Sequence, residues 1–264
     1  VADFAVQSAL QFDGKSIQTW VYPRDREAGF YDFASPTKQV LEFYSAYIGP
    51  FAYEKLANIQ TPSVNGGMET SSAIFYGENL VNGKADIRLR NVVIHEIAHQ
   101  WFGNSVTESD WDDVWLSEGF ATYMTLLCKE HVEGREAFVA GLKRSRASVL
   151  SLSVTLPGVP VIHENLSDMK KVLNRLIYEK GAWTLHMLRR RMGMENFREG
   201  VRDYYRQYHG RNATTADFAR VMEAHGAVGV REFLDQWLRR AGVPEVEGSW
   251  SYDAGAKQVR VELR

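Results

Sequence analysis

The chain has 264 residues, 45% of them hydrophobic and 12% aromatic, enough to bury a sizeable core in one or two domains. A net charge of −2 argues against a nucleic-acid partner, the single Cys128 excludes an intrachain disulfide, and no apolar run of about 18 residues exists to span a membrane. Val1 is not an initiator Met, so the chain is expected to be a piece of a longer protein.

In chain order, Ala9–Phe12 and Ile17–Tyr22 read as strands joined by the Asp13-Gly14 turn. Ser35-Pro36 then reads as a helix start, Ser35 as cap and Pro36 in the first turn. Val40, Leu41, Tyr44, Tyr47 and Ile48 form the apolar stripe of that helix, and Gly49-Pro50 stops it. Residues 51–81 read as short strands and turns, with 72–76 the clearest. A helix is expected over about 88–103 and another over about 115–131. Further helices are expected near 135–150, 168–192, 195–208, 215–225 and 229–241, with a loop over 151–166. Arg189-Arg190-Arg191 reads as the solvated end of a helix. After Pro244, residues 247–252 and 258–263 flank a turn and read as a hairpin.

The chemistry concentrates in His95-Glu96-Ile97-Ala98-His99 and in Glu118, with eighteen residues between His99 and Glu118. On a helix, positions four apart share a face, so both imidazoles can reach one ion while Glu96 stands beside a metal-bound water. Glu118 offers a third ligand. Two His and one Glu leave the fourth tetrahedral position of zinc open, as a catalytic site requires. Val92, Val93, Ile94, Ile97, Ala98, Trp101 and Phe102 make this helix apolar on nearly every side. It is therefore expected to be buried, and buried His and Glu need partners that one shared Zn2+ supplies. His131, His163, His186, His209 and His225 lack ligand spacing and read as surface or structural residues. Asp112 and Asp113 read as ordinary loop carboxylates, with a supporting bond to a ligand imidazole as the alternative.

Three motifs together resemble the M1 family of zinc aminopeptidases. His95-Glu96-Ile97-Ala98-His99-Gln100-Trp101-Phe102-Gly103-Asn104, with Glu118 in Trp-Leu-Ser-Glu-Gly-Phe-Ala, is similar to the family's zinc signature. Gly66-Gly67-Met68-Glu69-Thr70 is similar to its exopeptidase motif, with Thr70 in place of the usual Asn. Tyr178-Glu179-Lys180-Gly181-Ala182 is similar to the segment bearing its catalytic tyrosine.

The resemblance implies an α+β fold: a thermolysin-like zinc peptidase catalytic domain over 1–242. Its small mixed-sheet lobe would occupy 1–87 and its mainly helical lobe 88–242, with residues 243–264 a β-hairpin tail starting a following domain. It implies one Zn2+ on His95, His99 and Glu118, and Glu96 as general base. It also implies Tyr178 at the oxyanion, Glu69 on the α-amino group, and Gly66, Gly67 and Met68 along the substrate. From the residues alone, Tyr178 reads as a core aromatic and Glu69 as a loop carboxylate; only the resemblance gives them roles. The expected partner is a peptide with a free N-terminus, and domains flanking the family's catalytic unit are expected outside this chain. A thermolysin-like endopeptidase, an epoxide hydrolase of the same family and an inactive peptidase-like scaffold are the alternatives. Glu69 argues against the first, and the intact set of ligands, base and tyrosine against the last.

Overall fold

The computed structural model describes residues 2–84, 86–163 and 166–263. Five strands, β1 (Ala5–Phe12), β2 (Lys15–Val21), β3 (Lys55–Thr61), β4 (Gly67–Met68) and β5 (Ala73–Gly77), form one mixed sheet in the order β1-β2-β3-β5-β4. The β1–β2 and β4–β5 pairs are antiparallel, and the β2–β3 and β3–β5 pairs are parallel. Asp13 and Gly14 both take positive φ, 49° and 73°, which suits the twist of a two-residue hairpin. The resulting sheet-plus-helix layering is the expected α+β class.

Helix α1 (Arg26–Tyr47) covers this sheet and starts ten residues before the expected Ser35-Pro36 signal. Pro36 lies inside the helix and cannot donate back to residue 32. Packing overrides that loss. A Cβ on Gly29 would lie 2.4 Å from Val21 Cγ1, so the early part of α1 rests directly on β2, and Phe33 is fully buried. The Thr37 hydroxyl donates to the Phe33 carbonyl at 2.6 Å.

The remaining helices are α2 (Ile87–Ala98), α3 (Trp115–Glu133), α4 (Arg135–Thr155), α5 (Met169–Val172), α6 (Arg175–Met192), α7 (Met194–Tyr208), α8 (Thr215–Ala224) and α9 (Val230–Leu234). A π-helical stretch (Asp235–Arg239) follows α9. Strands β6 (Val106–Glu108) and β7 (Arg211–Ala213) pair in parallel. Three boundaries differ from expectation. Helix α4 runs five residues into the expected loop, of which Glu164 and Asn165 lie outside the described residues. The single helix expected over 168–192 is broken, because the Asn174 side chain accepts from the Leu176 N–H at 2.8 Å and caps a new start. Helix α2 ends at Ala98, short of the expected 103.

Arg189 is not solvated. Its guanidinium is buried, bridges Glu130 Oε2 at 3.4 Å and lies 5.8 Å from the Phe138 ring centre, while Arg190 and Arg191 remain exposed. Cys128 is fully buried, and burial pushes its thiol up to about 12. Lys180 is also buried; its ammonium donates to the carbonyls of Arg240 at 2.8 Å and Gly242 at 2.9 Å, tying α6 to the segment after the π stretch. The last hairpin, β8 (Gly248–Asp253) with β9 (Gln258–Leu263), is exposed along its length.

Two crossings place the site. The Tyr44 hydroxyl donates to the Ile94 carbonyl at 3.2 Å, and Trp101 Nε1 donates to Gly49 O at 2.9 Å, fixing α2 against α1. Helices α3 and α6 meet where both lack a side chain: a Cβ on Gly119 would sit 3.1 Å from Gly181 Cα. Glu118 and Tyr178 flank this crossing and are brought together by it.

Candidate active site

Helix α2 begins with a built cap. Asp86 Oδ1 accepts from the N–H groups of Arg88 and Leu89, both at 3.0 Å. Its last turn carries His95 and Glu96, His99 is its C-cap residue, and Glu118 enters from the first turn of α3. His95 Nε2 lies 3.1 Å from His99 Nε2, and Glu118 Oε2 lies 3.2 Å from each. Four ligands at about 2.0–2.2 Å from a tetrahedral zinc stand about 3.4 Å apart. The three donor atoms therefore fit one zinc after opening by a few tenths of an ångström, and the N,N,O donor set suits that ion.

The orientation of His99 is set from behind. Its Nδ1 lies 3.0 Å from the Phe102 carbonyl and 3.0 Å from the Ser117 hydroxyl, which turns Nε2 toward His95 Nε2 and Glu118 Oε2. Asp113 takes no part in this; it is buried and accepts from the Thr215 hydroxyl, a structural bond and neither the expected ordinary loop carboxylate nor a support for an imidazole. Burial works to lower the His99 pKa, but the Glu118 carboxylate overrides it and holds the imidazole up at about 10. Burial likewise opposes charge on Glu118, yet the two imidazoles hold its carboxyl well below the usual range.

Glu96 is almost fully buried, and burial is the largest influence raising its carboxyl, with the two imidazoles opposing. Gly67 backs onto it so closely that a Cβ there would come within 2.3 Å of the Glu96 carboxyl carbon. Gly66 faces open space, and its carbonyl accepts from the Gly77 N–H at 2.8 Å. Met68 is exposed.

The Glu69 carboxylate falls in the same cluster: donor atoms of Glu69, Glu96 and His99 all lie within 4.8 Å of one another. Its backbone is gripped by the segment that follows α2. The carboxamides of Gln100 and Asn104 both donate to the Glu69 carbonyl, the former at 3.0 Å, and Gln100 Oε1 accepts from the Ser72 N–H at 2.9 Å. Thr70 is exposed, so the loop takes its support from Gln100 and Asn104.

The Tyr178 hydroxyl donates to Glu118 Oε1 at 2.8 Å, and its ring stacks on His95 at 6.1 Å. Burial, then the Glu118 charge, pushes the phenol far above its ordinary value, so it stays a neutral donor. Glu108 on β6 was not singled out by sequence. Its Oε2 is buried with no hydrogen-bond partner among the described residues, and burial pushes its carboxyl up to about 7.

A cavity of about 660 Å³ opens beside this cluster, lined by α2, α3, α4 and α6 with Gly66 and Gly67 at its edge.

A sheet lobe and a helical lobe closing on two imidazoles, three carboxylates and a phenol is the architecture of a metallopeptidase catalytic domain. A sequence profile of the Peptidase family M1 domain matches residues 33–237, and the chain belongs to that family. Human glutamyl aminopeptidase is 31% identical over 257 residues, which is 92% of this chain and 27% of that protein. Tricorn protease-interacting factor F2 of Thermoplasma volcanium is 32% identical over 219 residues, 78% of this chain and 28% of that protein. The chain thus spans about a quarter of the length of the curated relatives it matches. In fold it matches a mutant of a two-domain M1 zinc metallopeptidase bound to L-tryptophan, with a TM-score of 0.71 and 24% identity over 92% of this chain and 53% of that one.

Proposed function

We propose that this chain is the catalytic unit of a zinc-dependent aminopeptidase that hydrolyses the first bond of a peptide with a free N-terminus. The observation that carries this reading is the position of Glu69. An anionic clamp within 4.8 Å of the base Glu96 and of His99 leaves room for one residue between a bound ammonium and the reacting bond. The names of the relatives, aminopeptidases of animals and archaea, support it.

His95, His99 and Glu118 would hold one zinc, which when bound would supply the Lewis acidity that acidifies a water near neutral pH and polarises the scissile carbonyl. Glu96 accepts the proton of the attacking water and returns it to the leaving amine. Its raised carboxyl favours that second transfer. The neutral Tyr178 hydroxyl turns from Glu118 to donate to the carbonyl oxygen as charge develops there. Glu69 pairs with the substrate ammonium, and Gly66 and Gly67 leave the substrate backbone space. Ser117 and the Phe102 carbonyl keep the His99 ring in place.

Elemental analysis of the purified protein after zinc supply should give one zinc per chain, lost in His99→Ala. A peptide with a free amine should be cleaved and its N-acetyl form spared. Absence of bound metal overturns the zinc assignment, and equal cleavage of the two peptides overturns the aminopeptidase in favour of an endopeptidase.

A further inference from the structure

We infer that the cavity beyond Glu96 is the leaving-group subsite of the cleft, and that it selects a carboxylate on that side of the bond through Arg144. The inference rests on the aminopeptidase reading for the direction of the substrate, but the pocket and its charge stand apart from it.

The direction follows from α2. Glu69 is held at the C-terminal end of that helix, by Gln100 and Asn104. The cavity lies toward the other end: its α2 wall is Asn91, Val92, His95 and Glu96, and Glu69 and His99 are not part of it. A peptide with its ammonium at Glu69 and its first carbonyl at the His95–His99–Glu118 cluster must continue past Glu96. The proton that Glu96 returns goes to the leaving nitrogen, so the base itself stands on the leaving side. The cavity volume, about 660 Å³, falls in the range of ligand pockets and holds more than one residue.

Its charge gives the selectivity. Three cations, Lys129, Arg144 and Arg175, and two carboxylates, Glu96 and Glu179, line it. Lys129 is engaged by Asn91 Oδ1 at 3.0 Å and Glu133 at 3.8 Å. Arg175 is engaged by Glu179 at 3.3 Å. Arg144 has no ion-pair partner among the described residues. Its guanidinium folds back along α4 to 3.9 Å from where a Cβ of Gly141 would be, so a small residue there lets it lie along the wall. A planar fork with unused donors over a partly enclosed cavity matches a carboxylate in both charge and geometry. That carboxylate has two sources in a peptide, an acidic side chain just after the scissile bond or the free C-terminus of a short substrate.

The test uses the zinc-loaded protein and four peptides with free amines. These are alanyl-glutamyl-alanine amide, alanyl-glutaminyl-alanine amide, alanyl-glutaminyl-alanine as the free acid, and glutamyl-alanyl-alanine amide. Either or both carboxylate-bearing leaving groups should exceed the glutaminyl amide in kcat/KM by about tenfold, and which of them does names the source. In Arg144→Gln the ratio should fall to near one, and Arg144→Lys should restore part of it. Arg144 is exposed and unpaired, so neither change threatens the fold. A ratio near one in the unaltered protein, a ratio that survives Arg144→Gln, or a preference only for the acidic N-terminal residue overturns the inference.

Calorimetry of the cleavage products glutamyl-alanine amide and glutaminyl-alanine free acid, each against glutaminyl-alanine amide, on metal-free protein, separates the two readings. Absence of any hydrolysis would sink the enzymatic assignment. Tighter binding of either carboxylate-bearing product, lost in Arg144→Gln, would still uphold the pocket, and equal binding of all three would remove it.

Discussion

The two ends of the cleft are built in opposite ways. At the Glu69 end, a short loop is clamped by buried hydrogen bonds: Gln100 is fully buried and holds both the Glu69 carbonyl and the Ser72 amide. The carboxylates collect there, with Glu69, Glu96 and Glu118 around two imidazoles and Glu108 electrostatically coupled to them. At the Arg144 end long side chains surround an open volume, with Lys129 and Arg175 paired to Glu133 and Glu179 and Arg144 left without an ion-pair partner among the described residues. From Glu69 to Arg144 the charges run from anion to cation, the complement of a short peptide, which runs from an ammonium to a carboxylate. The contrast in construction also separates two kinds of selectivity. A clamped backbone leaves a misplaced group unpaired and rejects it strongly, whereas a flexible exposed cation grades substrates by a modest factor.

The largest expected effect leaves this contrast intact. Glu96→Gln keeps the shape against Gly67 and removes the carboxylate proposed as the base. It should lower kcat by on the order of a thousandfold, equally for acidic and amide leaving groups, while zinc content stays at one. A loss confined to one class of leaving group would mean that Glu96 serves recognition and not proton transfer. Tyr178→Phe comes next. Losing one oxyanion donor costs about 3 kcal/mol, on the order of a hundredfold in kcat/KM. An unchanged kcat/KM would return Tyr178 to the reading that spacing alone gave it, a packed aromatic.

A smaller and more selective effect is expected from Gln100→Met. It removes the grip on the Glu69 carbonyl while keeping much of the volume. KM for free-amine peptides should rise about tenfold, and the discrimination against N-acetyl peptides should shrink with it. If instead kcat falls and KM holds, the loop positions the metal ligands and not the amine clamp.

What sequence made visible here follows from range. His95, Glu96 and His99 sit within one helical turn, so spacing alone put them on one face, and the apolar residues around them announced burial. Glu69 and Tyr178 needed family resemblance, because nothing local distinguishes them from other loop carboxylates and tyrosines. Gln100 and Asn104 stood inside a quoted motif, yet their task is a contact more than thirty residues away and was invisible. The same holds for Ser117 behind His99 and for the Gly119–Gly181 crossing, which needs two helices to be seen together. Where local signals misled, packing had outvoted them: Pro36 sits inside α1, and Arg189 leaves solvent for Glu130 and the Phe138 ring. Asn174 carried a cap signal inside a run whose periodicity continued on both sides, so the break in the helix was hidden.

The smallest effect concerns Glu108, which tests whether negative charge at the Glu69 end is already close to what the fold tolerates. Burial pushes its carboxyl up to about 7, from an ordinary 4.5, with Glu118 and Glu69 adding to the rise and His99 opposing it. Between those values the folded chain keeps a proton that the unfolded chain has released. Stability should therefore fall as pH rises from about 5 to about 7, and the loss should persist above. Glu108→Gln carries no such titration. Relative to the unaltered protein it should gain little at pH 5 and about 1 kcal/mol at pH 8, equivalent to about 2–4 °C in Tm. The measurement is thermal unfolding of both metal-free proteins at the two pH values. An equal difference in Tm at pH 5 and pH 8 would show that Glu108 ionises freely. The crowding of charge at this end would then be relieved locally, and the polarity of the cleft would rest on Glu69, Glu96 and Glu118 alone.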